Sequence, residues 1–264
     1  MIIKCDLSYQ TIIEQYIGLN YPECLYLYLD FKKFGFDVEY VNIWIQKNTE
    51  KITAVILQYR TGMHIYSRAK DYESNEIVKL IKQVSPDMIC ARDSIIRDLY
   101  STTIKNNYEV EYGNIGYCKA VGCESAINVK KVAKDDFKDI AKLLFQDEGI
   151  GASYDLEELG NQMYQRNSLG FVRNYIIKDN DKIACHVCTG AEEEGIAIIS
   201  GIVTDISFRG KGYAKKLLSY VCQQLINEGK EVYSVYYTEA ARKLHYRAGF
   251  LDYCGYGKLF VKKH

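Results

Sequence analysis

"SFRGKGYAKKLL", residues 207–218, sets a string of small residues at the head of an apolar helical pattern. Gly210, Gly212 and Ala214 alternate with Lys211 and Tyr213, and Arg209 stands in front. A helix start exposes backbone N–H groups that have no intrahelical partner, and the helix dipole adds partial positive charge there. Glycines remove the side-chain bulk that would keep an anion away from those groups. The preceding run "GIAIISGIVT" reads as a strand, which puts the loop at the end of a sheet, where α/β ligand sites lie. The residues leave two readings open: a diphosphate-binding site, or a solvent-exposed turn with a satisfied cap. The spacing is not a P-loop, which needs G-x-x-x-x-G-K-[ST]. It is not a dinucleotide fingerprint either, because Lys215 stands where a third glycine belongs.

Working outward from the loop, the pattern is α/β. Downstream, helix 212–228 carries Ala214, Leu217, Leu218, Val221, Cys222 and Leu225 on one face. "EVYSVYY" is a strand, 239–248 a helix and "CGYGKLFVKK" a last strand. Upstream, "FVRNYIIK" and "KIACHVCTG" form a hairpin around "DNDK", after helices in "KDDFKDIAKLLFQ" and "DLEELGNQMYQRN". The first half repeats the order. "VEYVNIWIQ", "KITAVILQY" and "GMHIYSR" are strands, followed by a helix near 74–83, the strand "DMICAR", the helix "DSIIRDLYSTT" and the strand "YEVEYGNIGYCKA". Each half thus predicts a mixed twisted sheet flanked by helices, with a boundary near "AVGCES" that separates 1–122 from 123–264.

Composition excludes several classes. Acidic and basic residues balance at 34 each, so no global field attracts nucleic acid or an anionic membrane. No apolar run spans a bilayer, and "MIIKCDLSYQ" lacks a signal-peptide layout, so the expected compartment is the cytoplasm. Nine cysteines without a small-scaffold spacing read as buried hydrophobes in a reducing compartment.

Arg209-Gly210-Lys211-Gly212-Tyr213-Ala214 resembles the R-x-x-G-x-[GA] acyl-CoA loop of the GNAT acetyltransferase superfamily. "GIVTDISFRGKGYA" is similar to that family's fourth strand and pyrophosphate loop, and "EAARKLHYRAGF" to its A-x-x-L-Y-x-x-x-G-F helix and turn. The resemblance covers about 124–264. It implies a GNAT fold, as two tandem GNAT-like domains, and acetyl transfer from acetyl-CoA to a primary amine of a small molecule or peptide. Backbone amides from Gly210 to Ala214 would hold the coenzyme A diphosphate, with Arg209 and Lys211 adding charge. Val203 and Thr204 would present backbone groups to pantetheine and the thioester carbonyl. No metal is implied, and the chain would act as a monomer or homodimer.

The sequence departs from the family where a tyrosine usually protonates the leaving thiolate. That position is His245, with Tyr246 next to it. Ala241, Leu244, His245 and Ala248 share one helix face, so His245 would point towards the sheet, while Tyr246 is rotated about 100° further round. His245 is therefore the first candidate for the proton donor and Tyr246 the second, against a hydrogen-bonded core histidine. The missing tyrosine also motivates a non-catalytic acyl-CoA-binding module as the competing reading. For a general base, "AEEEG" (191–195) reads as a solvated turn, and Glu148 and Asp205 are alternatives. Cys185-His186-Val187-Cys188 has metal-like spacing, but a strand sends 185 and 187 one way and 186 and 188 the other, and Cys118 and Cys123 supply no second pair. His64 and His264 have no nameable partner. In the first half the corresponding loop, "YSRAKDYESNEIV", has no glycine and carries acidic residues that would repel a diphosphate. The first half is thus expected to be a degenerate, non-binding GNAT-like domain or an unrelated α/β domain.

Overall fold

The computed structural model describes residues 1–49, 51–121, 129–146 and 156–262. Cys123, Glu148 and His264 lie outside the described residues, as does most of the "AVGCES" boundary. The chain forms two units, Met1–Ile115 with Asp252–His264, and Gly116–Leu251.

The first unit begins with β1 (Ile2–Lys4), α1 (Gln10–Ile17) and α2 (Leu25–Phe34). β2 (Val41–Asn48), β3 (Lys51–Tyr59) and β4 (Gly62–Tyr66) then form an antiparallel meander. α3 (Ser74–Val84) leads into β5 (Met88–Arg92), which runs parallel to β4. α4 (Asp93–Tyr100) and β6 (Tyr108–Cys118) follow. The strand alternation fills two cores. Met63, Ile65, Ile89 and Ala91 pack with Ile77, Ile81, Ile95 and Leu99 of α3 and α4. Val55, Leu57 and Tyr66 face the other way, against Ile13, Ile17, Leu27 and Phe31 of α1 and α2. A sheet covered on both faces needs this two-sided apolar pattern.

The second unit starts with β7 (Val129–Lys131), α5 (Asp136–Phe145) and α6 (Leu156–Ser168). β8 (Asn174–Asp179), β9 (Lys182–Glu193) and β10 (Ile196–Thr204) are antiparallel neighbours. The β8–β9 turn places Asn180 and Asp181 at φ of 50° and 60°, the left-handed pair that a tight hairpin needs and that Asn and Asp tolerate. α7 (Tyr213–Asn227) crosses to β11 (Glu231–Tyr236), which is parallel to β10. α8 (Glu239–Arg247) and β12 (Phe250–Val261) close the chain. Leu217, Leu218, Val221, Cys222 and Leu225 of α7 are fully buried, on the face the sequence predicts, against Val187, Ala197 and Ile199. α7 ends on Gly229 at φ +77°, where the Lys230 N–H reaches back to the Leu225 carbonyl at 3.0 Å.

Both units therefore follow one order: a three-strand meander, a helix, a parallel strand and a helix. The strand "CGYGKLFVKK" does not stay with the elements that precede it in the chain. Tyr256–Phe260 of β12 pair antiparallel with Arg92–Met88 of β5 in the first unit. Strand pairing is set by register in space, which a one-dimensional pattern does not carry.

Candidate functional site

β10 carries a glycine in its interior, and the strand bends there. Gly201 has φ +59°, and the β9 register shifts between Ser200↔Cys188 and Val203↔His186. An added Cβ at Gly201 would sit 2.8 Å from Cys188 Sγ, so the bulge needs glycine. On its other edge β10 pairs with β11 only from Ile196↔Glu231 to Ile199↔Ser234. β10 continues to Thr204 and β11 to Tyr236, so the two parallel strands part just before the bulge. Among the described residues this fork leaves the Ser200–Thr204 edge of β10 without a strand partner on that side. Val203 and Thr204 lie on this stretch.

Two buried side chains fix the fork. His186, on β9, is wholly buried and places Nδ1 2.8 Å from the Gly201 carbonyl oxygen and Nε2 2.9 Å from the Asn174 amide. A carbonyl only accepts, so Nδ1 carries a proton. The Asn174 atom that faces Nε2 is Oδ1, which suits a protonated ring; a neutral ring, with its one proton on Nδ1, needs the Asn174 amide turned so that its nitrogen donates to Nε2. Burial pushes His186 down to about 4, against the opposing effect of the Gly201 bond. His245, on α8, lies at the crotch of the fork. Its Nδ1 is 2.7 Å from the Ala241 carbonyl and its Nε2 2.8 Å from Ser234 Oγ. Ser234 Oγ is also 3.1 Å from the Ile199 carbonyl, so it touches both strands at their last paired step. The His245 ring is 2% exposed, tilted over Tyr236 at 4.6 Å and edge-on to Phe250 at 5.0 Å. Burial holds it below the ordinary histidine value, opposed by the Ala241 bond.

His245 thus points inward, as its helix face predicts, but both ring nitrogens are engaged. Tyr246 is 44% exposed, and its hydroxyl accepts from Arg242 Nε at 3.1 Å with the guanidinium 5.1 Å over the ring. The helix that carries both is held at its ends. Thr238 Oγ1 accepts the Ala241 N–H at 3.1 Å. Gly249 follows at φ +99°, where a Cβ would meet the Ala120 carbonyl oxygen at 1.9 Å. That clash is why glycine precedes Phe250.

The loop between β10 and α7 is open to solution. Gly210 and Gly212 have φ of +82° and +79°, and nothing lies within 4 Å of an added Cβ at either. Gly212 is the N-cap of α7 and offers no side-chain cap. The first helical bond runs from the Lys216 N–H to the Gly212 carbonyl. Among the described residues no acceptor lies against the backbone N–H groups of Gly210, Lys211, Gly212, Tyr213 or Ala214. A satisfied cap is therefore not what the glycines provide. Arg209 folds back, with Nε 3.3 Å from the Thr204 carbonyl. Lys211 Nζ and the Tyr213 hydroxyl converge on Asp179 Oδ2 at 3.1 and 2.8 Å. These two bonds hold the Asp179 carboxyl below its ordinary value. Nothing in the sequence marks Asp179 as a partner of the loop, because 32 residues separate it from Lys211.

The head of α3 in the first unit is built differently. The Glu73 N–H goes to Gln46 Oε1 at 2.8 Å, and Gln46 Nε2 binds the Glu73 carbonyl and Glu76 at 3.0 and 2.9 Å. A buried glutamine and a carboxylate stand at this helix head, where the second unit has glycines.

The candidate bases are engaged elsewhere. Asp205 accepts the Ser207 hydroxyl and N–H, which lower its pKa. "AEEEG" is not a solvated turn throughout. Glu192 sits in β9, pairs with Arg173 at 2.7 Å and accepts the Thr189 hydroxyl at 2.6 Å. Burial would raise its carboxyl, yet the Arg173 and Thr189 bonds keep it low. Cys185 joins the α7 core while His186 faces Asn174, so the two-faced reading of that stretch holds. Among the described residues no group of three or more His, Cys, Asp or Glu is placed to hold a metal. No described helix is long and apolar enough to cross a membrane.

Residues 135–250 match the model of the acetyltransferase (GNAT) family. No curated protein sequence matches the chain. Solved structures share the fold over nearly its whole length. An acetyltransferase of the GNAT family from Colwellia psychrerythraea superposes with a TM-score of 0.63 at 13% identity, covering 99% of this chain and 100% of its own. A GCN5-related N-acetyltransferase-like protein from Streptococcus suis gives 0.64 at 11%, covering 97% and 99%. A tandem GNAT protein of the clavulanic acid biosynthesis pathway gives 0.58 at 10%, covering 98% and 97%.

Proposed function

Because residues 135–250 match the GNAT acetyltransferase family model and solved GNAT structures share the chain's fold, we propose that this protein transfers an acyl group, acetyl first among them, from its coenzyme A thioester to a primary amine. The acceptor is a small molecule or peptide. The observation that carries this reading is the loop at the head of α7, with five unpaired N–H groups at Gly210–Ala214 that open directly from the forked strand β10. The diphosphate takes those N–H groups, and Lys211 can leave Asp179 for it. Pantetheine lies along the unpaired edge of β10, where Val203 and Thr204 supply backbone groups. The amine nitrogen attacks the thioester carbon, the C–S bond breaks, and the departing thiolate takes a proton while the amine loses one. Most of the rate comes from positioning and from backbone dipoles aimed at the developing oxyanion.

In this reading His245 acts through Ser234 as a positioning residue that sets where the strands part. Tyr246 is then the proton donor, since its hydroxyl is the exposed one of the pair. We assign the transferase to 123–264 and an accessory role without coenzyme binding to 1–122, in line with the glutamine and carboxylate at the head of α3. The test is thermal unfolding with acetyl-CoA and with free coenzyme A, in the wild type and in Gly212→Glu. At about 100 times its dissociation constant a ligand stabilises by roughly 2.7 kcal/mol. A rise in the wild type that is lost in the variant supports the site. An equal rise in both, or none in the wild type, overturns it.

A second reading has its own observation. With both His245 nitrogens engaged and the family tyrosine absent, the domain would bind acyl-CoA without transferring the acyl group. A coenzyme-dependent midpoint shift with no product across an amine panel would favour that reading.

A further inference from the structure

The first unit contains its own fork. β4 and β5 pair in parallel only through Gly62↔Met88, Met63↔Ile89 and His64↔Cys90, although β4 reaches Tyr66 and β5 reaches Arg92. Met63, Ile65, Ile89 and Ala91 belong to the core beneath α3 and α4. By alternation His64, Tyr66, Cys90 and Arg92 project from the other face. There Tyr26 of α2 stacks on the His64 ring at 5.8 Å, and Glu23 pairs with Arg92 Nη1 at 2.9 Å.

Four buried side-chain atoms among the described residues lack a hydrogen-bond partner: His64 Nδ1, the Tyr66 hydroxyl, Arg92 Nε and Ser94 Oγ. All four fall on β4, on β5 and in the first turn of α4, and none in the second unit. His64 is 8% exposed and Tyr66 is fully buried. A buried polar group without a partner is costly, and four on two paired strands and the helix turn that follows them call for a common explanation. Arg92 Nε–H can only donate, and the two hydroxyls each have a proton to give. That set fits an acceptor with two oxygens. Glu23, already on Arg92, and Asp93, whose carboxylate packs where a Gly255 Cβ would be, disfavour a multiply charged anion. Arg68, the other nearby cation, is turned to the carbonyls of Gln15, Tyr16 and Ile17 and can only donate towards the Tyr66 hydroxyl, which leaves that hydroxyl its own proton to give.

We propose that the β4–β5 fork of the first unit binds a small organic carboxylate, held by Arg92 Nε, the Tyr66 and Ser94 hydroxyls and His64. The site is separate from the coenzyme loop, so its fate does not depend on the acetyltransferase reading. An ammonium group on the same molecule would find Glu23, so glycine binds more tightly than acetate.

The test uses the full chain with coenzyme absent, and measures unfolding midpoints against acetate, glycine and inorganic phosphate. The carboxylates raise the midpoint with increasing concentration and phosphate does not. In Tyr66→Phe, which deletes one hydroxyl and little else, the concentration for half the effect rises about tenfold or more, as for a lost hydrogen bond to a charged group. Ser94→Ala weakens binding in the same direction. Without ligand, both variants unfold at the wild-type midpoint or above it, because each removes an unpaired group. No midpoint shift with either carboxylate, or an equal shift with phosphate, overturns the proposal. So does a lower ligand-free midpoint in both variants, since that would mean the hydroxyls are already bonded, to water.

Discussion

Acidification to about pH 5 should weaken the fold far more than its carboxylates alone would allow. His64 and His186 are both buried, and burial pushes each from 6.5 down to about 4. A depressed folded value means that the unfolded chain takes up protons first as pH falls. The stability these groups contribute is complete above about 6.5 and is lost as pH drops from there towards about 4. With those two values, linkage gives a loss of about 2 kcal/mol per histidine between about pH 7 and about pH 5, so about 4 kcal/mol for the pair. Asp136, Asp205 and Glu192, all held low in the fold, act in the same sense but below that window. Urea unfolding at a series of pH values reads the effect as a falling midpoint at constant slope. His186→Gln and His64→Gln should each remove about half of the dependence, whatever they do to stability at pH 7. A free energy that stays flat within about 1 kcal/mol over this range would refute the reasoning. It would mean that the rings are charged in the fold, with the His186 Nε2–H donating to Asn174 Oδ1.

Gly201→Ala forces a side chain into the left-handed region and onto Cys188 Sγ, so it should destabilise by about 2–4 kcal/mol and weaken coenzyme binding together; an unchanged unfolding midpoint would contradict the bulge argument. Gly249→Ala meets backbone rather than a side chain, and should lower the midpoint further than Gly201→Ala in the same denaturation assay. Once an amine acceptor is in hand, Tyr246→Phe should lower kcat with coenzyme affinity intact. His245→Ala should lower thermal stability and coenzyme affinity along with turnover, because it unpins Ser234. A His245→Ala enzyme with normal affinity and a lost pH–rate limb would instead make His245 the proton donor.

The glycine loop at the head of α7 is legible in the chain because its signal is local. Glycines at 210 and 212, a strand before them and an apolar helix after them lie within a few turns of one another, and backbone conformation follows from nearest neighbours. The inward face of His245 and the two-faced strand 185–188 were legible for the same reason, since helix and strand periods fix direction. Gly201 carries a local signal of its own, as a glycine inside a strand marks a bulge. Other features were not legible at all. The pairing of Tyr256–Phe260 with β5, the Asp179 contacts to Lys211 and Tyr213, the His186 clamp on Gly201 and the burial of Glu192 by Arg173 each join residues far apart in sequence. So do the four unpaired groups at the β4–β5 fork: alternation places His64, Tyr66 and Arg92 on one face, but only packing leaves them and Ser94 without partners. The sequence determines local conformation and the direction of each side chain. Which distant groups meet, and so which protons and charges are spoken for, is decided only when the sheet closes its register.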